Sequence, residues 1–189
     1  MSQSHYLELR AIPQPELTQS QVLSHLMQAL HQHLPAYAGR IGVAFPGYGQ
    51  ARTLGGIIRL IGNEADCQAL HQQLHASGNI SDYALLYAVA KVPQGIQSHA
   101  RYSRSHHKGP SALRRAEQRL SAQGKWQAEI ADKMRAKWQT PPKLPHLQLR
   151  SASTKQTFTL WIQQQNHTHP KPGLFSAYGL SQEATVPQF

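Results

Sequence analysis

The first ninety residues alternate between two spacings of apolar side chains. Tyr6-Leu7-Glu8-Leu9-Arg10 repeats every second position, which predicts a strand with Leu7 and Leu9 on one face. From Thr18 the period becomes helical, with Val22, Leu23, Leu26, Met27, Leu30 and Leu34 on one stripe that stops at Pro35. Thr18 and Gln21 form a capping-box pair, so the first helix is expected from about Gln19 to His33. Ile41-Gly42-Val43-Ala44-Phe45 and Ile57-Ile58-Arg59-Leu60-Ile61 read as two further strands, the first ended by Pro46 and the second preceded by a glycine-rich connection. Asn63 suits the cap of a second helix, Glu64 to His75, that buries Cys67, Leu70 and Leu74; Tyr83 to Val92 supplies a last strand. The order β-α-β-β-α-β predicts a ferredoxin-like domain, a frame that hosts many functions, RNA recognition among them.

The second half is less regular. Pro93 to Arg104 reads as a linker, Ser111 to Leu120 as a short basic helix, and Lys125 to Trp138 as another helix before Pro141-Pro142. Trp126, Ile130, Met134 and Trp138 recur every four residues, the spacing of a packing stripe. His146 to Arg150 and Phe158 to Gln163 read as strands joined by a polar turn, Ser151 to Thr157. The expected class is α+β, with residues 1–93 as a ferredoxin-like, RRM-like domain and residues 94–189 as a smaller α+β domain.

Charge sharpens this division. Of the 19 Lys and Arg residues, 14 fall in residues 91–155 beside only three acidic ones, while the first ninety residues carry four basic and five acidic groups. A block of that kind is an electrostatic footprint for a polyanion, nucleic acid before all others. A membrane surface fits less well, because the apolar residues within the block form no long amphipathic helix. The chain also has no apolar run of about eighteen residues and no signal-peptide core at its start, so a soluble, cytoplasmic protein is expected. Cys67 is the single cysteine and reads as a small buried thiol. Twelve histidines raise the question of a metal, but His106-His107 and His167-Thr168-His169 lack acidic or cysteine partners, so no metal and no cofactor is expected.

Four segments carry a sharper signal together than apart. Leu30-His31-Gln32 closes the first helix, Ile41 to Pro46 forms the second strand, Leu149-Arg150-Ser151-Ala152-Ser153-Thr154 joins the two late strands, and Ser176-Ala177-Tyr178-Gly179-Leu180-Ser181 lies near the end. In this order, and over nearly the whole chain, they resemble the CRISPR repeat-processing endoribonucleases of subtype I-F. The resemblance implies a ferredoxin-like domain followed by an RNA-binding domain with an arginine-rich helix. It also implies cleavage of the repeat hairpin without a metal, the ribose 2′-hydroxyl attacking its own phosphate to leave a 2′,3′-cyclic phosphate and a 5′-hydroxyl.

By that resemblance His31 is the general base, Ser151 positions the 2′-hydroxyl and Tyr178 orients the histidine. The residue types suit the work, since an imidazole with an ordinary pKa of about 6.5 accepts a proton near neutrality and internal attack needs placement above all. Taken singly, each has a plainer use. His31 falls just outside the edge of the helical apolar arc and could be merely exposed while His33 packs or caps; a turn serine bonds locally, and a tyrosine beside glycine packs. The resemblance further implies RNA contacts from Arg104, His106, Lys108, Arg114, Arg115, Arg119, Ser153 and Phe158. Arg104 is matched to a guanine edge, a pairing its forked donors suit. Phe158 is matched to a stack beneath the hairpin's base pair, its alternative being a core strand residue. His106 stands where the family has glutamine, and Ala116, Glu117 and Gln118 replace more basic residues, which weakens the phosphate grip of that helix. The implied partners are the CRISPR repeat hairpin and other subunits of a crRNA-guided surveillance complex, with a monomer when free. The rival is a non-catalytic subunit that binds the same hairpin.

Overall fold

The structure, a computed structural model, describes residues 3–106, 110–127, 129–130, 132–134 and 142–189. The chain divides into two compact units, one formed by Met1–Arg104 with Leu144–Phe189 and the other by Ser105–Lys143.

The first unit opens with the expected order. Strand β1 (His5–Ala11) leads to helix α1 (Gln19–His33), strands β2 (Gly42–Ala44) and β3 (Ile57–Gly62), helix α2 (Glu64–Ala76), a short helix α3 (Gly78–Ser81) and strand β4 (Ala84–Leu86). The sheet order is β2-β3-β1-β4, with β1 central and antiparallel to both neighbours, as the ferredoxin-like arrangement requires. Both helix starts carry the caps read from the sequence. Thr18 accepts from the Gln21 amide while the Gln21 side chain answers to the Thr18 backbone, and Asn63 accepts from the Asp66 amide. Leu7, Leu9, Ile58 and Leu60 are fully buried on one face of the sheet. On the other face Tyr6 stands opposite Ile61 and Glu8 opposite Arg59, so the two central strands offer one aromatic and not the pair that an RRM stacks bases upon.

The strand expected from Tyr83 to Val92 is divided. After β4, paired with Leu9, Arg10 and Ala11, a second piece, β5 (Ala90–Lys91), pairs with His5 and Tyr6. Three residues, 87–89, face only Leu7 and Glu8, and the extra residue is a β-bulge that breaks the ladder.

The expected linker at residues 93–104 is corrected more deeply. Residues His99–Ser105 are strand β6, with Ala100 and Tyr102 buried, and β6 enters a second sheet. That sheet has the order β7-β8-β6-β9, from β7 (His146–Arg150), β8 (Thr157–His167) and β9 (Val186–Pro187). Leu147, Leu149, Leu160 and Ile162 from it join Leu7, Leu26, Leu30 and Leu60 in one core. The boundary expected at residue 93 therefore does not coincide with a packing boundary, because residues 94–104 and 144–189 complete the core that the N-terminal half begins.

The second unit contains α4 (Pro110–Ala122), the basic helix, on which Arg114, Arg115 and Arg119 are exposed and Ala116 is buried. Of the helix expected from Lys125 to Trp138, Glu129, Ile130 and Asp132 to Met134 are helical, Lys125 to Gln127 are not, and the remainder lies outside the described residues. Among the described residues no helix is long and apolar enough to cross a membrane.

Candidate active site

Helix α1 buries Val22, Leu23, Leu26, Met27 and Leu30 and continues through a 3-10 turn, Leu34–Tyr37, to Ala38 and Gly39 in left-handed conformation. His31 stands in the last turn, half-buried, one residue from the apolar stripe. A turn formed by residues 176–179 meets it from the far end of the chain. Its geometry is held by the Gly179 amide donating to the Ser176 carbonyl at 2.8 Å and the Ser176 amide to the Leu180 carbonyl at 2.7 Å. It is then fixed to β2, where the Val43 amide donates to the Gly179 carbonyl at 2.8 Å, and to the turn that follows α1, where the Phe175 amide donates to the Gly39 carbonyl at 3.0 Å.

Two glycines make this close approach possible. Gly179 has φ +68, and a Cβ there would lie 2.2 Å from Val43 Cγ2; a Cβ on Gly42 would lie 2.6 Å from the buried Phe175 ring. The strand motif at 41–46 and the motif at 176–181, separate in the sequence, are one packed contact.

The turn holds the His31 imidazole on two sides. Its Nδ1 lies 3.0 Å from the Ala177 carbonyl oxygen, and its ring stacks on Tyr178 with centroids 3.9 Å apart and planes 6° from parallel. A carbonyl can only accept, so Nδ1 carries a proton, and in the neutral ring the lone pair therefore lies on Nε2. Such a tautomer is a base. Burial raises the Tyr178 hydroxyl above the ordinary phenol range and the Arg104 charge opposes that, so the ring is a neutral phenol near pH 7. His33, two residues on, caps the 3-10 turn with no side-chain hydrogen bond to it.

Ser151 reaches the same place from the second sheet. It begins loop 151–156, which closes where the Ser151 amide donates to the Gln156 carbonyl at 2.9 Å and the Thr154 amide to Ser151 Oγ at 3.2 Å. Ser151 Oγ also lies 3.2 Å from Ser153 Oγ. Accepting from Thr154 leaves the Ser151 hydroxyl proton to point elsewhere. The loop itself is set by α1, since the amides of Gln148 and Arg150 donate to Ser24 Oγ at 3.2 Å and Gln28 Oε1 at 2.8 Å.

His31, Arg104, Ser151, Ala152, Ser153, Phe158 and Tyr178 line one open cleft of about 400 Å³. Arg104 lies on β6 with its guanidinium 5.3 Å from the Phe158 ring centre, and Phe158, half-buried at the start of β8, pairs opposite Leu149. The lining thus combines an imidazole, an arginine, two serine hydroxyls, a phenol and the face of a phenylalanine, with no carboxylate: a wall suited to a phosphodiester and a base.

Of the eleven residues singled out by sequence, six therefore share this cleft. His106, Arg114, Arg115 and Arg119 are exposed in the other compact unit, and Lys108 lies outside the described residues. Among the described residues no group of three His, Cys, Asp or Glu side chains is placed to hold a metal ion. Cys67 is buried, and burial pushes its thiol up to about 11, as the plain reading expected. Sequence reasoning missed the Ala177 carbonyl and the pair Ser24 and Gln28. Ser24 and Gln28 left a trace, being polar residues four apart on the flank of an apolar stripe; a carbonyl leaves none.

The comparisons agree in extent. The model of the CRISPR-associated protein (Cas_Csy4) family matches residues 6–189. A CRISPR-associated endonuclease Cas6/Csy4 of Escherichia coli (strain UTI89 / UPEC) is 33% identical over 190 residues, covering 98% of this chain and 99% of the relative. One of the same name from Pseudomonas aeruginosa (strain UCBPP-PA14) is 34% identical over 191 residues, with the same coverage.

Proposed function

Because the chain belongs to the CRISPR-associated Cas_Csy4 family, we propose that it is an endoribonuclease that recognises and cuts the CRISPR repeat hairpin. The observation that carries this reading is the His31 ring, held through Nδ1 by the Ala177 carbonyl and through its face by Tyr178, in a cleft with the Ser151 hydroxyl.

In this mechanism Ser151 places the ribose 2′-hydroxyl and His31 Nε2 takes its proton. The 2′-oxygen bonds to the adjacent phosphorus while the bond to the 5′-oxygen breaks, and the leaving oxygen takes up a proton. The products are a 2′,3′-cyclic phosphate upstream and a 5′-hydroxyl downstream. No water is consumed and no metal-bound nucleophile is required; placement supplies most of the rate. Arg104 reads a guanine edge, Phe158 stacks beneath the terminal base pair, Ser153 contacts the RNA beside Ser151, and His106, Lys108, Arg114, Arg115 and Arg119 serve the stem. The protein remains on the product hairpin, as a subunit of a crRNA-guided complex, and is a monomer when free.

Incubating the purified protein with end-labelled repeat RNA tests the proposal. Cleavage should stop when the nucleotide before the scissile phosphate carries a 2′-deoxyribose, and binding should persist. Cutting of the deoxy substrate at the normal rate, or a 5′-phosphate on the downstream fragment, would exclude internal attack. Tight binding of the natural repeat without any cutting would make the protein a hairpin-binding subunit.

A further inference from the structure

Two polar side chains outside the cleft bind the strand that carries the cleft's serine. Strand β7 is the outer member of its sheet, bonded on one side to β8. The Ser151 amide points to β8 through Gln156, so by the two-residue period of a strand the amides of Gln148 and Arg150 point to the open edge. Helix α1 fills that edge. Ser24 Oγ accepts from Gln148 while donating to the Ser20 carbonyl at 2.9 Å, and Gln28 Oε1 accepts from Arg150 at 2.8 Å.

The two spacings match. Four residues of helix rise about 6 Å and two residues of strand about 6.7 Å, so Ser24 and Gln28 meet alternate amides of a strand running beside them. His31 is the next helical position on that side, three after Gln28, and Ser151 is the next residue of the chain after Arg150. The Gln28 bond is thus made one peptide from Ser151 and one helical turn from His31.

We propose that Gln28, backed by Ser24, is a positioning residue that sets the distance between the His31 base and the Ser151 hydroxyl. The inference rests on the roles proposed above for those two groups. Both hydrogen bonds lie at exposed positions, so water replaces a missing acceptor and folding suffers little. Placement of Ser151 is what changes, and about 1 Å of displacement can cost roughly a hundredfold in rate.

Single-turnover cleavage of the labelled hairpin, with affinity measured on its uncleavable 2′-deoxy form, decides the matter. Gln28→Met, which keeps length but removes the acceptor, should slow cleavage by about 10- to 100-fold while affinity and unfolding midpoint hold within roughly twofold and a degree or so. Gln28→Glu keeps an acceptor and should recover much of the rate. The pair Gln28→Met with Ser151→Ala should be no slower than Ser151→Ala alone, because two changes acting through one placement do not add. Ser24→Ala should slow cleavage less, with the same non-additivity, and carries the test if Gln28→Met unfolds the protein. Unimpaired cleavage by Gln28→Met, losses that multiply in the double variant, or a rate that falls only as affinity falls would overturn the inference and leave the cleavage reading standing. A wild-type protein that leaves the hairpin whole would overturn both.

Discussion

The imidazole of His31 lies face to face with the phenol ring of Tyr178, 3.9 Å between ring centres and 6° between planes. Contact through the ring face, with the histidine's hydrogen bond going to a backbone carbonyl, separates the two parts of the tyrosine. Tyr178→Phe keeps the face and should retain most of the single-turnover rate; Tyr178→Ala removes it and should lose one to two orders of magnitude, about the cost of a misplaced group. Equal losses in the two variants would move the role to the hydroxyl.

His31→Ala should abolish cleavage and leave affinity for the deoxy hairpin nearly intact, since the ring offers RNA little contact area. His33→Ala should retain activity, because that side chain is absent from the cleft. Excess EDTA should leave the wild-type rate unchanged, as internal attack through an imidazole predicts. Loss of activity on chelation, restored by a divalent cation, would refute the mechanism.

Replacing Arg114, Arg115 and Arg119 together should weaken binding and flatten the salt dependence by roughly one unit of slope for each phosphate left without its arginine. Arg104→Ala should act differently. It lines the cleft and stacks near Phe158, so it should relax preference for guanine, a discrimination of about 1–3 kcal/mol, and slow cleavage with little change in salt slope. Titrations at several ionic strengths with guanine-substituted hairpins separate the two.

Arg40 binds the Asp66 carboxylate at 2.7 and 2.9 Å and holds it below the usual carboxylate range. A depressed folded value means that the pair's stabilisation is present above the unfolded pKa of about 3.9 and is lost as pH falls through the lower, folded one. Asp66→Asn should therefore lower the urea midpoint at pH 7, and the difference from wild type should shrink toward pH 2. A deficit independent of pH would assign the effect to something other than the charge of the Arg40 pair, such as the bond that Asn63 Nδ2 donates to the Asp66 side chain.

The ferredoxin-like half was legible because its signals are local. Capping at Thr18 and Asn63, the stripe from Val22 to Leu34 and the alternation around Leu7 each stand in a few consecutive residues. Strand β6 was not, because Pro93 and Gly95 announce a turn and His99, Arg101, Ser103 and Arg104 look solvated, although neighbouring chain segments bury His99 and Ser103. The bulge at 87–89 and the two-residue β9 depend on register, which no single segment specifies. In the site, side chains with their own chemistry were found by resemblance. The elements that place them, the Ala177 carbonyl and the Gln28 acceptor, depend on which backbone group meets which helix face.

His31 and the Ala177 carbonyl that meets its Nδ1 are 146 residues apart. Translation at about 5–20 residues per second puts roughly 7–30 s between their emergence from the ribosome. A nascent chain displaying α1 thus carries His31 without the Ala177 carbonyl and without the Tyr178 ring. On the proposed mechanism a chain whose residues 176–179 have not docked on β2 lacks both supports of its base, so activity should be confined to the completed polypeptide.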